Sequence, residues 1–240
     1  MQPIHRHFAD GKPDYLVRHY WWAYLWRVGV WFFDHQPIIN AILFGQYRKL
    51  MTATLSRLPQ KAEGRMLQLT CVYGELTPHL LARATQPLHL TDVAEVQLAL
   101  ADRKCLPGAL ARTRMNAEAL GYKSGVFSTV VLFFLLHEMP DVARRNTLSE
   151  AIRVLTPGGK LLLTEYGPRP HRHPLHRFSP TRWLLGKLEP FLPGFWDTDL
   201  PALIEELAAE QGRSVRLLWQ QPIFGGFYRM LEFSFEKQSH

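Results

Sequence analysis

The sequence predicts an α/β chain: a mostly parallel sheet of seven strands with helices on both faces, a C-terminal hairpin, and a helical N-terminal extension. Three observations carry this. Strand-length apolar runs alternate with helical stretches from about residue 64, a Gly225-Gly226 turn divides two late strand patterns, and the first 60 residues show only helical periodicity. Strands are expected at 65–70, 88–93, 110–115, 126–134 and 159–165, separated by helices at 76–84, 95–104, 117–120 and 141–154. A helix at 199–210 then leads into "VRLLWQQPIFGGFYRMLEFSF", which reads as the closing hairpin. In open parallel sheets of this kind, ligands sit at the carboxyl ends of the strands.

Residues 1–60 form the extension and 61–240 the sheet domain, with an irregular insertion at about 167–198. In the extension, aromatic and aliphatic residues recur at three and four spacing, and Pro37 divides the pattern into helices of roughly 15–34 and 37–57. Trp21, Trp22, Trp26 and Trp31 fall within eleven residues, with Arg18, Arg27, Arg48, Lys49 and Arg57 interspersed. The longest uncharged stretch, His35 to Tyr47, falls well short of the ~20 apolar residues that span a bilayer. Such a block suits a membrane surface, a lid over an apolar substrate, or a helical cap packed on the core. The insertion, "GPRPHRHPLHRFSPTRW", has no periodicity and reads as an active-site flap.

Composition narrows the class. With 47% hydrophobic residues the chain can bury a real core, so a disordered or fibrous chain is excluded. Two cysteines, Cys71 and Cys105, lack metal-type pairing, and the start lacks a secretory pattern, so a cytoplasmic setting is expected. The 28 Lys+Arg against 21 Asp+Glu favour a polyanionic partner, either nucleic acid or an anionic membrane. No stacking platform or nucleic-acid motif accompanies the charge, so no nucleic acid is expected.

The chemistry should lie at "LQLTCVYGELTPHLL", residues 67–81. It has the position of a cofactor-binding strand, turn and helix, yet Thr70, Val72 and Tyr73 stand where small residues are expected and only Gly74 remains. Asp92 closes the second strand, where a carboxylate can accept from both ribose hydroxyls, and Asn116 follows the third, near an adenine edge. Asp92 could instead cap a helix, and Gly74 could merely satisfy a tight turn.

These elements, with "TDV", "NAEAL", "FSTVVLFFLLHEMPDVARRNTLSEAIRVLTPGGKLLLTEY" and the "GGFYR" hairpin, resemble the Rossmann-like fold of class I S-adenosylmethionine (SAM) methyltransferases. Within that superfamily, "CVYGELTP", the fourth strand and "YWWAYLW" resemble the rhodoquinone-biosynthesis (RquA) family. That resemblance implies conversion of ubiquinone to rhodoquinone, replacing a ring methoxy by an amino group. SAM would donate the nitrogen, and a divalent metal, preferably manganese, would be required at the cytoplasmic face of the inner membrane. Gln68, in place of an acid, and Thr70 and Val72, in place of glycines, depart from ordinary methyltransferases together. The cofactor residues so implied are Gln68, Thr70, Val72, Tyr73, Gly74, Asp92, Val93, Asn116, Ala117 and Phe133.

Tyr73 is expected to fix an altered SAM pose, by its hydroxyl or by covering the sulfonium with its ring, and with His137 and Glu138 makes up the catalytic set. A hard divalent ion would take His137, Glu138 and Glu165 at adjacent strand ends, although such residues can also shape a pocket or cap a helix. Quinone contacts are expected from Tyr20, Trp22, Tyr24, Tyr166 and His173. His171 and His176 flank His173 in the flap, where lipid phosphate could engage them together with Arg169, Arg172 and Arg177. Two rival readings stay open: a conventional methyltransferase acting on a quinone or other lipid, and a non-catalytic SAM-fold binding protein.

Overall fold

The computed structural model describes residues 10–168, 173–174 and 178–237. Seven strands form one sheet: β1 (Met66–Leu69), β2 (Leu88–Asp92), β3 (Leu110–Arg114), β4 (Phe127–Phe133), β5 (Leu155–Tyr166), β6 (Arg213–Ile223) and β7 (Tyr228–Lys237). Their spatial order is β3-β2-β1-β4-β5-β7-β6. β1 to β5 run parallel, and β7 is antiparallel to both its neighbours. All four residues of β1 are buried, as expected for a central parallel strand covered on both faces. Strand order reverses between β1 and β4, and their carboxyl ends open a crevice there.

The extension contains α1 (Asp14–His19), α2 (Trp21–Tyr24), α3 (Arg27–Phe33), α4 (Gln36–Ile42) and α5 (Tyr47–Leu55), rather than two long helices. Val17, Tyr20, Ala23, Leu25 and Val30 are all buried, and their uneven spacing cannot lie along one helical stripe. The chain bends to bury each of them, and Trp26 is extended (φ −90°, ψ 121°) between α2 and α3. Ile39, Leu43, Tyr47, Leu50 and Met51 join the core of the sheet domain, so the extension is packed into the fold.

Between the strands lie α6 (Leu76–Arg83), α7 (Glu95–Arg103) and α8 (Asp141–Val154). The helix expected at 117–120 is a turn, because the Asn116 side-chain oxygen accepts from the Glu118 amide (3.0 Å) and offers the backbone a local alternative. The 167–198 insertion is less irregular than expected: it contains α9 (Ser179–Leu188) and α10 (Leu192–Trp196), and Leu192, Phe195 and Trp196 are buried. α11 (Leu200–Glu210) begins at an Asp199 cap, whose carboxylate accepts from the Ala202 amide.

A 3-10 turn, Leu136–Glu138, follows β4 and is held from behind by Arg144 of α8. Arg144 is buried and donates to the carbonyls of Leu136 (3.1 Å) and Met139 (3.0 Å), and to Asp141 and Thr198 (both 2.8 Å). Arg144→Met would remove the guanidinium from the Met139 carbonyl and leave the Leu136 carbonyl with only the Met139 amide (3.3 Å). We expect a loss of about 2–4 kcal/mol in urea-denaturation stability. An unchanged midpoint would show that the turn does not depend on Arg144.

Candidate active site

A cavity of about 440 Å³ opens at the carboxyl ends of β1, β2 and β4 and is roofed by the extension. Of the expected cofactor residues, Thr70, Val72, Tyr73, Asp92, Val93, Asn116, Ala117 and Phe133 line it. Tyr20, Trp22, Tyr24 and Tyr166 line it from the substrate set, and so do His137 and Glu138. Residues more than a hundred positions apart in sequence thus share one space.

The turn after β1 is shaped by contacts from outside it. Thr70 has φ +71°, a conformation costly for a β-branched residue, and Gln68 Nε2 donates to its carbonyl (3.1 Å). The Gly74 amide donates to Asp34 Oδ1 (2.9 Å), and the Gly74 carbonyl accepts from Lys104 (2.9 Å), which also pairs with Asp34. The Glu75 amide donates to the Tyr47 hydroxyl (2.7 Å). Gly74 has φ +83°, and a Cβ there would stand 2.4 Å from that hydroxyl, so this position requires glycine for packing as well as for turn shape. The amides of Gly74 and Glu75, which lead into α6 and could have received an anionic ligand, are therefore already bonded within the protein.

Tyr73 sits at the centre of this grip. Its hydroxyl donates to the Ala23 carbonyl and accepts from Gln97 Nε2 (3.0 Å). The hydroxyl is committed to protein partners, which leaves the ring to face the cavity. That ring stacks on Tyr24, with centroids 5.7 Å apart and planes 14° apart. Burial pushes the Tyr73 hydroxyl well above its ordinary pKa, so it stays protonated.

Asp92 lines the cavity and accepts from the amides of Cys71 and Ala94 (both 2.8 Å). Ala94, not Asp92, is the N-cap residue of α7, and that helix has no side-chain cap, so the carboxylate does not serve as one. Burial raises its pKa to about 6, against the pull of those two amides.

An acidic cluster lies deeper in the cavity. His137 Nδ1 is 2.9 Å from Glu165 Oε2, while His137 Nε2 lies 3.9 Å from Glu138 Oε1. Glu189, at the end of α9, completes a trio with His137 and Glu138 whose candidate ligand atoms all lie within 4.8 Å of one another. Tyr24 donates to Glu138, and Tyr20 donates to Glu189 (2.9 Å), so the extension supplies a hydroxyl to each acid.

Burial raises the pKa of Glu138 and of Glu189, each further raised by neighbouring carboxylates and opposed by His137. Burial works against protonation of His137, yet Glu165, Glu189 and Glu138 together outweigh it and the imidazole rises to about 9. A buried and a half-buried carboxylate, with an imidazole set by an outer carboxylate, suit a hard divalent cation, which would also relieve the repulsion between the acids.

Glu165 itself is not at the cavity. Its Oε1 accepts from the Leu135 (2.7 Å) and Leu136 (2.6 Å) amides and its Oε2 faces His137, so it orients the imidazole from behind. Gln68 and Gly74 also lie outside the cavity lining, for the reasons given above. His173 packs on Phe224 (4.6 Å between centroids) and Phe227 (5.3 Å) of the hairpin turn instead of facing the cavity. His171, His176, Arg169, Arg172 and Arg177 lie outside the described residues.

Sequence reasoning missed Glu189, although it is the one acidic residue between Glu165 and Asp197, inside a basic insertion. It also missed Asp34 and Tyr47, which act on the turn from 40 and 28 residues away.

Residues 66–159 match a family model described as a methyltransferase domain. The chain is 30% identical over 138 residues, 54% of its own length, to the ubiquinone/menaquinone biosynthesis C-methyltransferase UbiE of Rhizobium johnstonii, and spans 53% of that relative. Phosphoethanolamine N-methyltransferase 2 of Haemonchus contortus superposes with a TM-score of 0.61 at 16% identity, covering 94% of this chain and 60% of that one. The fold is that of the class I SAM-dependent methyltransferases. The [4+2]-cyclase SpnF shares it, with a TM-score of 0.51, 21% identity, and 80% and 82% of the two chains covered.

The raised carboxylates make stability depend on pH with a definite sign. Glu138 and Glu189 bind a proton more tightly folded than unfolded. The stabilisation is therefore full below their ordinary value of 4.5 and is lost as pH rises through the raised values. His137 has the same sign, losing its contribution from 6.5 up through about 9. We expect the metal-free protein to melt at a lower temperature at pH 9 than at pH 5.5, and added Mn2+ to reduce the difference, as followed by circular dichroism. A melting temperature that rises over this range would contradict the assignment.

Proposed function

We propose that this chain is a SAM-dependent transferase that modifies the ring of a lipid quinone, and that it replaces a ring methoxy with an amino group, as in rhodoquinone formation from ubiquinone. One observation carries the reading: the cofactor-type turn and the His137, Glu138 and Glu189 cluster open into the same apolar, aromatic-walled cavity. The quinone part is supported by the match to UbiE, a ubiquinone/menaquinone biosynthesis C-methyltransferase, and the sharing of the fold with a cyclase allows chemistry other than methyl transfer.

In this reading Asp92 keeps a lone pair on each carboxylate oxygen for ribose hydroxyls, and Asn116 and Ala117 border the adenine. The Tyr73 ring, fixed through its hydroxyl and stacked on Tyr24, presents a π face to the sulfonium and sets where the donor's methionine portion lies. His137 Nε2, Glu138 and Glu189 would hold the divalent ion, manganese by preference. Once bound, the ion polarises ring oxygens and makes the methoxy-bearing carbon more electrophilic. A Glu138 or Glu189 carboxylate oxygen not bonded to the ion takes a proton from the α-amine. The C–N bond forms, the C–O bond to methoxy breaks, and methoxide leaves as methanol with the proton taken from the amine, so the ring is joined through nitrogen to the donor's Cα. Loss of the Cα proton moves two electrons into the quinone ring, and hydrolysis of the resulting imine breaks the Cα–N bond to leave the amino-quinol and the donor's 2-oxo acid.

Ring C-methylation is the second reading, favoured by the identity of the curated relative. The two separate with SAM carrying 15N at the α-amine and 13C at the methyl. We expect 15N and no 13C in the quinone product by mass spectrometry, with turnover reduced in Tyr73→Phe and abolished in Tyr73→Ala. Methyl label in the product would establish methylation instead, and normal turnover in both variants would remove Tyr73 from the mechanism.

A further inference from the structure

The cavity does not open onto a polar surface. Ile42 of α4 and Leu188 of α9 both line it, yet they are 48% and 50% exposed, so its mouth continues into apolar protein surface. On the extension, Trp26, Val28, Trp31 and Phe32 are exposed, Trp31 at 65%, while Gly29 and Val30 of α3 face inward. On the insertion, α9 exposes Trp183 at 63%, with Lys187 Nζ 4.6 Å from the centre of its ring. A water-soluble chain has no packing reason to leave four large aromatic side chains outside on two elements whose ends frame one cavity mouth.

The charges select the partner. The α3, α4 and α9 sequences "RVGVWFF", "QPIINAI" and "SPTRWLLGKL" contain Arg27, Arg182 and Lys187 and no acidic residue. Asp34, just after α3, is paired with Lys104, and Glu189, just after α9, points to the interior cluster. Trp with Lys or Arg on helices that carry no carboxylate of their own is the chemistry of the headgroup zone of an anionic bilayer, and Glu95, which shares a groove with Arg27 and Trp31, is paired with Arg114. Among the described residues no helix is long and apolar enough to cross a membrane, so the contact is an interfacial one.

We propose that the exposed faces of α3 and α9, together with Ile42 and Leu188 at the cavity, form a bipartite docking surface for an anionic phospholipid bilayer, through which a lipid-soluble ring reaches the cavity without crossing water. The need for such a route rests on the quinone reading above. The surface itself does not, since its residues and charges are independent of the reaction.

The test uses the full chain with Trp31→Ser/Phe32→Ser and Trp183→Ser variants, and Leu106→Ser as the control. Leu106 is 77% exposed and lies in the α7–β3 connection. Folding is checked by thermal melting and by SAM binding in calorimetry. Co-sedimentation with phosphatidylcholine vesicles containing phosphatidylglycerol should show binding of the wild type and the control, weakened about tenfold in either patch variant and reduced by salt.

Variants that fold and bind SAM should still act on a tail-less dimethoxybenzoquinone but lose turnover of long-tailed quinone in vesicles. Wild type that fails to bind vesicles, or patch variants that bind as well as wild type, overturns the proposal. So does a wild-type dimer that the patch substitutions convert to monomer, since the surface would then belong to a second copy. If vesicle binding behaves as expected but no quinone is converted, the docking surface stands and the reaction assignment falls.

Discussion

Everything in the cavity depends on the hold that the N-terminal extension keeps on the turn after β1. Asp34 takes the Gly74 amide, Tyr47 takes the Glu75 amide, and the Ala23 carbonyl takes the Tyr73 hydroxyl. Each such bond is worth about 1 kcal/mol net, and together they hold a turn that has a single glycine and keeps Thr70 in a left-handed conformation. A glycine-rich turn is shaped by its own backbone freedom. This one is shaped by side chains reaching in from outside, and the donors spent in doing so cannot also meet a ligand.

The same extension reaches the acidic cluster on the opposite wall. Tyr20 and Tyr24 lie four residues apart and give hydroxyls to Glu189 and Glu138, while Tyr24 also stacks on Tyr73. The turn, the acids and the cavity roof are therefore coupled through α2 and its flanks. Behind them, Glu165 and Arg144 fix the Leu136–Glu138 turn, Glu165 through two backbone amides and the imidazole, Arg144 through two carbonyls. The residues that meet a ligand are thus backed by a fully bonded inner layer, which keeps their geometry narrow.

The sheet was legible in the sequence because parallel strands buried on both faces write themselves as apolar runs, and the helix at 141–154 has the bounds that its periodicity and Pro140 imply. Asp92 and Asn116 were legible because strand ends are where such residues matter. The breaks in the extension were not legible, since aromatic density mimics helical periodicity while burial is decided by what each ring meets across the fold. The exchange of Glu165 for Glu189 at the cavity was hidden for a related reason. Adjacent strands place Glu165 near His137, but its fully bonded position depends on the amides of Leu135 and Leu136, and Glu189 arrives on an insertion whose path no strand pattern specifies.

The central claim is that one cavity holds the nucleotide-like cofactor against the turn and a divalent ion on His137, Glu138 and Glu189. The most direct measurement is a crystal structure with SAM and Mn2+, using anomalous scattering at the manganese edge. The account predicts one manganese peak between His137 Nε2 and the carboxylates of Glu138 and Glu189, Glu165 remaining bonded to His137 Nδ1, and the ribose against Asp92. A manganese peak on Glu165 or elsewhere, or SAM outside this cavity, would contradict it.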